Sequence, residues 1–303
     1  MRAVVIVSGG AANSPFTTPT RACGGGQPAG STDSGLRGAL LAAGFAVYTS
    51  PARAGRGLAD EDLDFQGYTE PPEVLPEELT VNSVGTIDVA GQHLAAFLAH
   101  LARTDGMTAV DLVAHSMGGL FCRAAIRVLR DAGHPLQVTS LITLGTPWTG
   151  SYAADIAAGD LLRSTVSADP STNAIIDDFL LLVSSTPDGA ATEVTTRHLC
   201  GPDGWNARQA GVLDGIPVTI IAGDHFHLAG GDTRAWPHDG LVTRASAMAE
   251  GLPPEVVQPR AVHLFPDVHS IYFAEPFGLP WEHALTWDPN VFAVVTAAIL
   301  DAL

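Results

Sequence analysis

Val110-Asp111-Leu112-Val113-Ala114-His115-Ser116-Met117-Gly118-Gly119-Leu120 decides how this chain is read. Its first residues have the apolar character of a buried strand, and from Met117 onward the spacing is helical. Between them stands a serine whose neighbours two positions away, Ala114 and Gly118, are both small. A strand that becomes a helix across one residue strains the backbone there, and bulk at the flanking positions would clash. Such a turn lifts the Ser116 hydroxyl above the carboxyl end of a sheet. The same serine could merely cap the helix. The strand before it and the small residues on both sides favour a nucleophile.

The rest of the chain supplies a matching frame. Apolar runs of strand length at 3–7, 45–49, 109–114, 138–144, 218–222 and 261–265 alternate with helical patterns at 36–43, 86–101, 117–129, 241–249 and 291–303. That alternation predicts an α/β fold, a mostly parallel central sheet with helices on both faces. Residues 11–33 and 51–83 read as surface loops. Neither a repeat nor a linker interrupts the order, so one domain over 1–303 is expected. The pattern loosens after Gly145, and residues 146–215 read as a cap or lid inserted within that domain.

Three stretches resemble a known family. Ala114-His115-Ser116-Met117-Gly118-Gly119 resembles the A-x-S-x-G nucleophile elbow of α/β-hydrolase lipases and carboxylesterases, notably small bacterial lipases. Leu144-Gly145-Thr146-Pro147-Trp148-Thr149-Gly150-Ser151 is similar to their L-G-T-P…G-S segment, and Asp239-Gly240-Leu241-Val242 to their D-G-L-V acid loop. The start departs from the family, with Ser8-Gly9-Gly10 where these lipases carry His-Gly. The resemblance implies an α/β-hydrolase fold and hydrolysis of neutral carboxylic esters through an acyl-enzyme.

A serine nucleophile needs a base within hydrogen-bond reach and a carboxylate to orient that base. In this fold the chain order is Ser, then acid, then His. Asp239 matches the family's acid loop and is the expected acid. Asp224, at the end of the strand 218–222, is the alternative. Among the late histidines, His263 lies inside a strand and His283 in late surface loop. His269 falls just beyond a strand end and is the expected base. Backbone amides of Gly10 and Met117 are the expected oxyanion hole.

Composition narrows the partners. The 303 residues carry 15 basic against 32 acidic side chains, a net charge of −17, and every basic residue is arginine. No basic stripe exists to hold nucleic acid phosphates, and an anionic membrane would repel the chain. No apolar run is long enough for a transmembrane helix, while transient contact with an uncharged lipid interface is compatible with the composition. The first residues are too short for a secretory leader, which leaves a cytoplasmic protein or a secreted one whose leader is missing from the sequence. Cys23 and Cys200 lie in loop sequence and could pair in an oxidising compartment, whereas Cys122 reads as a buried apolar residue. His225, His227 and His238 could suggest a metal, but their stretch reads as a solvated loop, and no metal or cofactor is expected. Acyl transfer, thioester hydrolysis or ligand binding on the same scaffold are the competing functions. Acyl length, alcohol and oligomeric state stay open.

Overall fold

The pairing of apolar strand sequences fixes the frame. In a computed structural model, residues 1–21, 34–60, 63, 73–166 and 170–302 are described. The strands are β1 (Arg2–Val7), β2 (Val47–Thr49), β3 (Ala52–Arg53), β4 (Val81–Asn82), β5 (Ala109–His115), β6 (Gln137–Leu144), β7 (Val218–Gly223) and β8 (Ala261–Phe265). Six of them form one sheet in the order β2-β1-β5-β6-β7-β8, and every pairing in it is parallel. The major helices are α1 (Gly35–Ala42), α2 (Ile87–Thr104) and α3 (Gly118–Asp131). Between β6 and β7 come α4 (Tyr152–Ala157), α5 (Pro170–Ser185), α6 (Ala190–Glu193) and α7 (Thr196–Cys200). Last are α8 (Arg244–Ala247), α9 (Ile271–Ala274) and α10 (Pro289–Leu300).

Parallel strands bury both faces, and side-chain alternation assigns each residue to one of them. Val5, Val7, Leu112 and Ala114 join Leu94, Leu98, Phe121 and Ala125 of α2 and α3 in one core. Val4, Ile6, Val113 and Leu144 meet Leu36 and Leu40 of α1 and Val291, Val295 and Ile299 of α10 in the other. The four-residue spacing on α10 is one apolar stripe, and each such side chain contributes about 1.5–3 kcal/mol when fully buried. The one acid of β5, Asp111, is buried and satisfied. It accepts from Arg2 Nε (2.7 Å) and Nη2 (2.8 Å) and from the hydroxyls of Thr139 and Ser140.

Several elements differ from the sequence expectation. Residues 51–83 are not wholly loop, since β3 and β4 pair with each other as a small second sheet. The pattern over 241–249 yields only one helical turn, α8, because Thr243 caps it and accepts from the Ser246 N–H. Residues 224–238 are a solvated loop only in part: 227–230, Thr233 and Arg234 are exposed, while the ends turn inward. Phe226 and His238 exchange backbone hydrogen bonds of 2.9 and 3.1 Å. Ala235 and Trp236 pack into an apolar cluster with Tyr152, Leu161, Val166 and Ile176.

The excursion between β6 and β7 is tied to α3 at its base. Arg123 is fully buried, with its guanidinium carbon 4.7 Å from the Trp148 ring centre and 4.8 Å from that of Trp205. Its Nη1 donates to Asn206 Oδ1 (2.8 Å), and Asn206 Nδ2 donates to the Trp148 carbonyl (2.8 Å).

Helices α2 and α3 approach closely because Gly91 lacks a side chain; a Cβ there would collide with that of Ala124. Gly91→Val should therefore lower stability by about 1–3 kcal/mol through overpacking, read as a shifted urea midpoint with unchanged m-value.

Candidate active site

Ser116 follows β5 directly and has a left-handed backbone, φ 55°. A non-glycine residue there costs about 1–3 kcal/mol unless its surroundings hold it. Three hydrogen bonds do so. The Ser116 N–H donates to the Leu144 carbonyl (2.8 Å), and its own carbonyl accepts from Thr146 Oγ1 (2.8 Å) and the Gly119 N–H (3.2 Å). The small neighbours have concrete reasons. A Cβ on Gly118 would lie 2.6 Å from the Val7 carbonyl oxygen, and one on Gly9 would lie 2.5 Å from Ser116 Cβ.

His269 lies beyond β8 and immediately precedes α9. Its backbone N–H donates to the Asp239 carbonyl (2.8 Å) and its Nδ1 donates to Asp239 Oδ2 (2.7 Å). Asp239 uses its other oxygen differently. Oδ1 accepts from the N–H groups of Leu241 (3.0 Å) and Val242 (2.8 Å), fastening the turn that carries it. Both residues are buried. With Nδ1 as donor, His269 Nε2 carries the lone pair, and it has no hydrogen-bond partner among the described residues. Ser116 and His269 line one cavity of about 790 Å³.

Asp224 turns elsewhere, toward His227 Nε2 (3.7 Å) and Arg244 Nη1 (3.6 Å). His263 stays within β8, and His283 is exposed. The histidines of 225–238 diverge. His225 Nδ1 lies 3.2 Å from the Pro266 carbonyl, while His238 is buried against Phe226, Trp236 and Tyr152. Gly10 and Met117 are neighbours, since a Cβ on Gly10 would lie 2.7 Å from Met117 Sδ. Cys23 lies outside the described residues, so its pairing does too. Cys122 is buried, and Cys200 is an exposed free thiol. No helix among the described residues is long and apolar enough to cross a membrane.

Two features escaped sequence reasoning. His115 Nε2 donates to the His269 carbonyl (2.9 Å), and the two rings are 4.7 Å apart. Burial, reinforced by the neighbouring imidazole, pushes the His115 pKa down to about 3, so its ring is neutral beside His269. The only sequence signal was a histidine ending an apolar strand. The second feature is the buried pair Asp267 and Asp288. Burial, then the charge of Asp288, push the Asp267 carboxyl up to about 7. Nothing in the sequence linked acids so far apart.

Known proteins give this geometry a context. Residues 74–162 match the family described as "Putative serine esterase (DUF676)". A triacylglycerol lipase of Pseudarthrobacter phenanthrenivorans and one of Burkholderia plantarii are each 36% identical over 98 residues, 32% of this chain. Those stretches span only 29% and 26% of the two lipases' own lengths. The crystal structure of a Bacillus licheniformis lipase in its propeptide form superposes with a TM-score of 0.54 at 16% identity, covering 97% of this chain and 50% of that one. That likeness is one of fold.

Asp267 gives a pH prediction. An unfolded Asp titrates near ~3.9, below the folded value of about 7. The folded state therefore holds the extra proton, and that contribution to stability is lost as pH rises through about 7. Asp267→Asn should melt like the parent near about pH 3.5, where the carboxyl is largely protonated in both states, and at a progressively higher temperature than the parent up to about pH 8, checked by thermal scans across that range.

Proposed function

The chain has the α/β-hydrolase fold, and on that scaffold we propose a serine carboxylic ester hydrolase of lipase or carboxylesterase type. One observation carries the reading: an imidazole oriented by a buried carboxylate at 2.7 Å, its Nε2 unpaired, lines the same cavity as a serine on a strained elbow.

In this reading His269 Nε2 takes the Ser116 hydroxyl proton as Oγ attacks the ester carbonyl carbon. The oxyanion that forms is held by the Gly10 and Met117 amides, neither of which has an acceptor among the described residues. The bond from carbon to the alcohol oxygen breaks, and the leaving oxygen takes the proton from His269. Water then attacks the acyl-enzyme, giving its proton to His269; the bond from the acyl carbon to Ser116 Oγ breaks, Oγ takes that proton back, and the carboxylic acid leaves. Asp239 stabilises the imidazolium while keeping Nε2 available. His115, neutral and bonded to the His269 carbonyl, adds no opposing charge when that imidazolium forms. These steps call on no cofactor. We assign residues 146–215 as a cap within a single domain, a reading supported by Phe179 and Leu182 of α5 lining the cavity.

Ser116→Ala should lower kcat by roughly 10⁴-fold or more, and Asp239→Asn by about 10³–10⁴-fold, with melting temperature unchanged for the first. A fluorophosphonate should label Ser116 in the parent, read by mass spectrometry. Full ester turnover by Ser116→Ala would sink the assignment. The charge of −17 sets a second test: neutral esters should be preferred over anionic ones at low ionic strength, the gap narrowing as salt is added.

A further inference from the structure

Ser116 stands where two unequal spaces meet. The larger, about 790 Å³, runs to a mouth formed by the exposed residues Ala174, Asp178, Tyr272 and Pro276. The smaller, about 70 Å³, is walled by Val84, Pro147, Ala191, Val194 and Val242. Gly10, Ala11, Ser116, Phe179, Leu182 and Leu241 border both. His269 lines only the larger space, and Met117 only the smaller.

This asymmetry orients a substrate. The leaving oxygen must take its proton from His269, so the alcohol lies on the side that His269 lines. The acyl substituent then lies on the opposite side of the carbonyl carbon, beside Met117. Resting on the hydrolase reading above, we propose that the small space is the acyl pocket and the large one the alcohol site. The enzyme's substrates are accordingly esters of short acids with bulky, apolar alcohols.

Size and polarity agree. At roughly 30 Å³ per group the size of a water or methylene, 70 Å³ takes about two or three carbons beyond the carbonyl. That suits acetyl to butanoyl, while an octanoyl tail needs more than twice the room. The hydroxyls in its wall are already engaged. Ser83 Oγ donates to the Ala12 carbonyl (2.7 Å), with that of Arg53 also within reach (3.0 Å), and Ser151 Oγ donates to that of Leu241 (2.8 Å). A saturated hydrocarbon tail is therefore its natural occupant. On the alcohol side, Ile175, Phe273 and Phe277 offer apolar surface.

Two substrate series separate the ends of the ester. With p-nitrophenol fixed and the acid varied, kcat/KM should fall by about tenfold or more from butanoate to octanoate. With acetate fixed and the alcohol lengthened from ethyl to hexyl to 2-phenylethyl, followed by pH-stat, kcat/KM should rise by about tenfold or more. Ala191→Leu should abolish the butanoate reaction while sparing acetate. Val194→Ala, which only removes volume, should move the break toward hexanoate. Neither should change the alcohol series. Ser116-dependent turnover that favours octanoate, or slot variants that shift the alcohol series, would overturn the division while leaving the hydrolase intact. Turnover that survives Ser116→Ala, or none on any ester, would overturn the hydrolase reading itself.

Discussion

The molecule is organised around one strained residue. Ser116 holds a left-handed backbone at the end of β5, a conformation that the isolated chain would abandon. It persists because three strands converge on it. The β1 end brings the Val7 carbonyl and Gly9 close beneath it, and the β6 end supplies the Leu144 carbonyl and the Thr146 hydroxyl. Those contacts require β1, β5 and β6 to be neighbours in register, which the parallel pairing provides. The sheet is the device that keeps the turn wound.

The opposite wall obeys a different economy. Asp239 divides its carboxylate, one oxygen on the imidazole and the other on two backbone amides of its own turn. Fastening the turn and orienting the imidazole are met here by separate atoms. The backbone bond from His269 to the Asp239 carbonyl and the bond from His115 to the His269 carbonyl extend this lacing to the elbow. Imidazole, acid and serine loop are thereby fixed to one another through the backbone as well as through side chains.

What could be read beforehand followed from local chemistry. The elbow and the alternating sheet core were legible because each depends on residues within a few positions, or on the twofold period of a strand; Asp239 and His269, whose side chains meet in the fold, were singled out through the resemblance of their loops to the lipase pattern. Tertiary packing hid the rest. The short α8 gave no warning, since its apolar residues serve the sheet rather than a helical stripe. The burial of Ala235, Trp236 and His238 depends on α4 and α5, elements of irregular pattern. The Asp267–Asp288 pair brings together acids from separate loops, and no periodicity encodes that meeting.

Arg123 has a mechanical consequence. Sandwiched between Trp148 and Trp205 and bonded to Asn206, it clasps two distant parts of the β6–β7 excursion to the helix that follows Ser116. A planar guanidinium can fill that slot face-on against two indoles, which a lysine could not do. The base of the excursion is consequently riveted to that helix. Rearrangement of the excursion's middle, where α5 borders the cavity, would leave the elbow's own hydrogen bonds untouched.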